Sequence, residues 1–83
     1  MNNLDVKLGI YKHFKGLFVQ VLAVARHTET EERLVVYIPL NGDLKDRKGP
    51  MVSARPLDMF FEKVEKDGKM IDRFEYLGHT LNQ

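Results

Sequence analysis

Apolar residues alternate with polar ones over several short stretches of this chain, the period-two signature of strands with one face turned inward. The first stretch, Gly9 to Phe14, is punctuated by Lys15-Gly16 and reads as a short strand and a turn. From Leu17 to His27 the odd positions Leu17, Val19, Val21, Ala23 and Ala25 are all apolar and predict one buried face. The even positions Phe18, Gln20, Leu22, Val24 and Arg26 are mixed, which predicts partial cover on the second face. A helix competes for this segment, but its β-branched content and the flanking glycine favour a strand.

Thr28 to Glu32 is polar and predicts a hairpin loop. Arg33 to Leu40 follows as a strand, with Leu34, Val36, Ile38 and Leu40 expected in the core and Arg33, Val35 and Tyr37 facing away. Pro39 has no amide hydrogen, so that end of the strand is expected at an edge or a bulge. Asn41 to Pro50 holds two glycines, a proline and five charges, and predicts a long, mobile connection. Met51 to Arg55 predicts a short strand, and Pro56 to Phe60 a single helical turn with proline in its first turn. Phe61 to Val64 and Met70 to Leu77 flank Asp67-Gly68, a strong hairpin dipeptide, with Phe74 and Tyr76 on one face. Residues 78–83 carry no pattern. The expected fold is mostly β: a small, strongly bent barrel of five to six short antiparallel strands with one short helical turn near Pro56-Phe60.

Composition narrows the chemistry. With 83 residues the chain makes a single domain, its ordered part expected over about 9–77, with few positions to spare from the core. There is no cysteine, which excludes disulfides, zinc–thiolate centres and thiol nucleophiles. The most apolar run, Leu17 to Ala25, is far shorter than the ~20 residues of a spanning helix. Met1 to Leu8 has no basic region leading into an apolar one, so no secretory leader is read there, and the cytoplasm is the default location. The net charge of +1 hides an asymmetry: residues 1–27 and 33–56 each carry +3, whereas 28–32 carry −3 and 57–83 carry −2. That is a weak electrostatic footprint for an anionic partner.

Several residues read together as a pattern: Gly9-Ile-Tyr11-Lys-His13-Phe14-Lys15-Gly16, Val21, Val24-Ala25-Arg26-His27-Thr28-Glu29-Thr30, Leu34-Val35-Val36-Tyr37, Arg55-Pro56-Leu57, Phe60, Val64, Asp67-Gly68 and Arg73-Phe74-Glu75-Tyr76. Over about Gly9 to Leu77 the chain resembles the bacterial domain-of-unknown-function family 1653. The resemblance implies an SH3-like barrel character and brings no established activity. This chain departs from that pattern at Asn41, where a tyrosine is frequent, and at Ser53-Ala54, where an aromatic is frequent.

Candidate site residues follow from chemistry. Arg26, His27 and Glu29 would present a cation, a titratable ring and a carboxylate at one strand end. The plainer alternative is a hairpin loop closed by Thr28 or Thr30, with Arg26 paired to a nearby glutamate. Tyr11, His13, Phe18 and Tyr37 would make a stacking platform or fill the barrel, and for Phe18 filling is the better reading. Arg55 would aim a guanidinium at a phosphate or carboxylate, or hold the barrel corner, or pair with Glu62.

A metal site built from His13 and His27 with Glu29 or Glu31 lacks any tight ligand spacing, and none is assigned. No cofactor loop is present, and Ser53, the sole serine, lacks elbow glycines. The leading expectation is a non-enzymatic binding module. Tyr11, His13, Arg26, His27, Glu29, Tyr37 and Arg55 would hold an anionic, partly planar ligand such as a nucleotide or nucleic-acid segment. One alternative is a protein-interaction or homo-oligomerisation domain using the strand face around Val35 and Tyr37. Another is a small enzyme with His13 or His27 as general base.

Overall fold

Among the described residues, seven strands and one helical turn follow the alternation in the sequence. The computed structural model describes residues 6–41 and 51–79. The elements are β1 (Gly9–His13), β2 (Phe18–Arg26), β3 (Arg33–Pro39), β4 (Ser53–Pro56), α1 (Leu57–Phe60), β5 (Lys63–Lys66), β6 (Lys69–Asp72) and β7 (Phe74–Gly78). An antiparallel sheet runs in the order β4-β3-β2-β1-β7, and β5-β6 form a separate two-stranded ribbon. Among the described residues no pairing joins β4 to β7, so the sheet is not closed by hydrogen bonds. Of the expected connection Asn41 to Pro50, residues 42–50 lie outside the described residues, as do residues 80–83 of the expected tail 78–83, whose first residue, Gly78, instead ends β7. No helix of the described residues is long and apolar enough to cross a membrane.

The mostly β expectation holds, and the strand count rises to seven because the stretch Met70 to Leu77 divides at Arg73. There the chain changes partners. The Arg73 amide donates to the Glu62 carbonyl at 3.2 Å, while the Phe14 amide donates to the Arg73 carbonyl at 2.9 Å. One side of the residue thus belongs to the ribbon and the other to the main sheet. The ribbon turns at Asp67 and Gly68, with φ of 54° and 80°, the paired left-handed conformation that an Asp-Gly hairpin adopts with least strain.

Two expectations about facing are overturned. On β2 the odd positions are buried at Val19 and Val21, but the register then shifts between Val21 and Ala23. Leu22 is the extra residue of this irregularity and stands exposed, so beyond it the even position Val24 packs on the core. On β3 the faces are the reverse of those expected. Val35 is completely buried and Tyr37 packs against the core, whereas Leu34, Val36 and Ile38 lie half-buried on the other side. Both faces of this strand are apolar, so alternation defines two faces without saying which one is inward. Pro39 pairs with Val19 beyond the last β3–β4 pair, Tyr37 with Ser53, so its missing amide hydrogen disrupts no pairing to β4.

The core joins Val6, Tyr11, Val19, Val21, Val35 and Phe74 to Leu57 and Phe60 of α1. The helical turn thus acts as a plug in the concave side of the sheet. Phe60 is fully buried and meets Tyr11, Tyr37, Phe61 and Phe74 ring to ring. A phenylalanine removed from water in this way contributes about 1.5–3 kcal/mol.

Candidate functional site

Cross-strand register selects which polar groups share the concave face. Tyr37 lies opposite Val21 and Ser53, Arg55 lies opposite Val35, and His13 lies opposite Phe74. Directly opposed residues project to the same side of a sheet. His13, Tyr37, Ser53 and Arg55 therefore meet at one end of the concave face. Together with Leu17, Val19, Pro39 and Phe74 they line a cleft of about 180 Å³.

Arg55 lies over the Phe74 ring, 5.7 Å from its centroid. Its Nε–H is shut off from solvent and has no hydrogen-bond partner among the described residues. His13 packs edge-on against Phe74 at 4.9 Å and tilted against Phe14 at 4.6 Å. Its Nδ1 accepts the Lys15 amide at 3.1 Å, so the neutral ring carries its proton on Nε2 and is a donor. Burial, followed by the charges of Arg55, Arg73 and Lys15, lowers the His13 pKa from its ordinary value. This end of the molecule is therefore positively charged around a neutral imidazole. Ser53 donates its hydroxyl to the Met51 carbonyl at 3.2 Å.

The remaining predicted site residues lie elsewhere. Tyr11 is buried beneath the cleft, its hydroxyl donating to the Lys7 carbonyl at 2.7 Å and its ring against Phe60, Phe61 and Tyr76. Burial and the neighbouring Tyr76 push its pKa up to about 12. Arg26 pairs with Arg33 at the opposite end of β2, roughly 20 Å along the strand from Val19 at ~3.3 Å per residue. There a single Arg26 nitrogen, Nη1, donates to both oxygens of Glu31 at 2.9 and 3.0 Å. His27 accepts the Glu29 and Thr30 amides on Nδ1 at 3.1 and 3.3 Å, and Thr30 accepts the Glu32 amide. Arg26, His27 and Glu29 thus close their own hairpin and do not join His13, Tyr37 and Arg55.

These contacts bear on three further readings. Glu62 pairs with Arg73, not with Arg55. Val35 is fully buried and Tyr37 packs partly buried against the core, so the strand face around them is covered rather than open as expected. Both candidate general bases use Nδ1 to accept backbone amides, which leaves each neutral ring a donor on Nε2. No cluster of three or more histidines, aspartates or glutamates is placed to hold a metal ion among the described residues.

Ser53 and Phe74 are among the cleft residues that sequence reasoning did not assign. The alternation of Phe74 with Tyr76 marked a shared face, but only the pairing of β7 with β1 sets Phe74 beside His13. Asn41, a departure from the resembled pattern, accepts the Phe18 amide on its side-chain oxygen at 2.8 Å and helps fix the β2 start beside Leu17.

A second, more open hollow of about 450 Å³ lies on the other side of His13, between β1, β7 and the ribbon, and includes Phe14, Met70 and Ile71. Lys63 pairs with Asp72 there at 3.2 Å, and Lys12 stands opposite Glu75 in the β1–β7 register with its ammonium over the Phe18 ring.

Comparison with known proteins agrees with this architecture. No curated protein matches the chain. A crystal structure of a protein belonging to DUF1653 from Bordetella bronchiseptica is 36% identical, with a TM-score of 0.81, over 94% of this chain and 95% of that one. Residues 9–76 match the family described as "Protein of unknown function (DUF1653)", and with that span, which reaches from β1 into β7, the chain belongs to this family.

Proposed function

We propose that this domain is a small binding module that holds one planar, anionic unit, such as a nucleotide unit of a nucleic-acid segment, in the cleft between His13, Tyr37 and Arg55. The observation that carries this reading is the meeting of these three side chains, distant in sequence, around one concavity. Arg55 supplies a fixed positive charge whose planar fork matches a phosphate or carboxylate. Its unpartnered Nε–H gains an acceptor when the side chain turns its edge toward such a group. The His13 Nε2–H adds a neutral donor, and the Tyr37 ring adds an apolar wall.

Size limits the ligand. About 180 Å³ is below the ~300–1,000 Å³ typical of drug-sized ligands, so the cleft takes one ring or one anionic group of a longer molecule. Stacking a base on an aromatic side chain contributes ~1–3 kcal/mol, enough for weak, salt-sensitive binding when joined to one phosphate contact.

The test is a titration with a single-stranded oligothymidylate at low and high salt, followed by the NMR signals of the cleft. Perturbations centred on His13, Tyr37 and Arg55 that weaken as salt rises, and that vanish in Arg55→Gln, are expected. Perturbations centred instead on the Arg26–Glu31 hairpin, or no binding at any salt, would reject the reading.

A further inference from the structure

His13 stands where the cleft and the ribbon hollow meet and lines both. Its charged surroundings are uneven. On the cleft side Arg55 of β4 bears on it, and Tyr37 of β3 is the neutral neighbour there. Lys15, from its own turn, and Arg73, at the β6–β7 junction, also repel a charge on the ring, although Glu62 is paired with Arg73. On the hollow side Lys63 pairs with Asp72, while Lys12 and Glu75 hold opposed positions of β1 and β7, with the Lys12 ammonium over the Phe18 ring. Among these groups Arg55 is the cation that shares the cleft with His13 and has no acidic partner among the described residues. An anion bound there offsets the repulsion that Arg55 exerts on the ring and adds an attraction of its own.

Resting on the anion-binding reading of the cleft, we propose that capture of an anion at Arg55 is accompanied by uptake of one proton on His13, so that the site binds more tightly as the pH falls. The proton comes from solvent and goes onto Nδ1, since Nε2 already carries one in the tautomer set by the Lys15 amide. That amide belongs to an exposed turn residue, so it passes to water when Nδ1 becomes a donor. The imidazolium then faces the bound anion as a second cation beside Arg55. The sign follows from linkage: binding that favours the protonated form strengthens as protons become more available. One coupled proton changes affinity by at most about tenfold per pH unit, between the His13 midpoints of the free and bound protein.

The experiment follows the ring protons of His13 by NMR across pH in three states: free, with inorganic phosphate, and with a short oligothymidylate. In the free protein Arg55→Gln should move the His13 midpoint upward. Either ligand should also move it upward in the native protein and have little effect in Arg55→Gln, while the ring signals of His27 in the far hairpin stay in place. In His13→Gln, affinity for the oligothymidylate, whose phosphodiesters keep a constant charge over this range, should lose its pH dependence. A His13 midpoint that stays put in Arg55→Gln overturns the proposal, as does an anion that occupies the cleft without moving that midpoint. A shift with phosphate but no binding of the oligonucleotide supports proton coupling and rejects the nucleic-acid reading. Oligonucleotide binding with no pH dependence does the reverse.

Discussion

The Phe60 and Phe74 rings lie face to face, 4.0 Å between centroids and 2° from parallel. Phe60 comes from the helical plug and Phe74 from the edge strand β7, so this stack ties the plug to the wall of the cleft. A parallel ring so close fills one face of Phe74, and the Arg55 guanidinium lies over the same ring. The cleft is therefore floored by a stack rooted in the core. Truncating the root should cost both stability and site geometry.

Phe60→Ala, at a completely buried position, should destabilise the fold by about 3–5 kcal/mol in urea denaturation. For a domain this small such a loss approaches the whole stability. A cost below about 1 kcal/mol would mean that α1 does not pack as described.

Gly9 and Gly16 make a paired test of backbone strain against space. Both have positive φ, 137° and 103°, but a Cβ on Gly9 would run into the Gly78 carbonyl oxygen, whereas one on Gly16 meets nothing within 4 Å among the described residues. Gly16→Ala carries conformational strain alone, on the order of 1–2 kcal/mol. Gly9→Ala adds a clash with the β7 backbone and should cost more, on the order of 3 kcal/mol or greater. Equal effects in thermal denaturation would contradict the close approach of β1 and β7.

Two groups give stability a pH dependence with opposite limits. His13 has a folded pKa below its ordinary, unfolded value, so the unfolded chain binds more protons in that interval. Stability should fall as the pH drops below about 6.5, the ordinary histidine value, and level off below the folded His13 pKa. His13→Gln should remove that part of the acid dependence. Tyr11 is raised to about 12 from 10.0, so its contribution is complete below pH 10 and fades as the pH climbs toward 12. Tyr11→Phe should flatten the alkaline limb of a denaturation series, after a constant loss for the bond to the Lys7 carbonyl.

The two arginines of the original candidate set should separate cleanly. The Arg26–Glu31 pair is well exposed on both sides, at 63% and 66%, and such pairs contribute ~0–1 kcal/mol. Arg26→Gln should therefore leave stability within about 0.5 kcal/mol and anion binding unchanged. Arg55→Lys keeps the charge but loses the planar fork over Phe74, and should weaken anion binding several-fold. Equal loss in both variants, measured by isothermal titration, would return the hairpin to the site.

Most strand positions were legible from alternation and from two turn signals, Lys15-Gly16 and Asp67-Gly68. These are local properties, set by side-chain period and backbone preference within a few residues. Facing was less legible. Val35 and Val36 are both apolar neighbours on one strand, and no local rule states which of them meets the helical plug. The extra residue at Leu22 is equally silent, because a bulge is a relation between two strands and not a property of one.

The candidate site divides along the same line. The residue types of His13, Tyr37 and Arg55 are written in the chain, and so is the self-contained chemistry of the Arg26–Glu31 hairpin, whose partners are a few residues apart. Their separation into a cleft and a distant loop was decided by the tertiary pairing of β1 with β7 and of β3 with β4. Local sequence determines which elements form and which groups they carry. The burial of apolar surface between remote segments decides which of those groups end up sharing a surface.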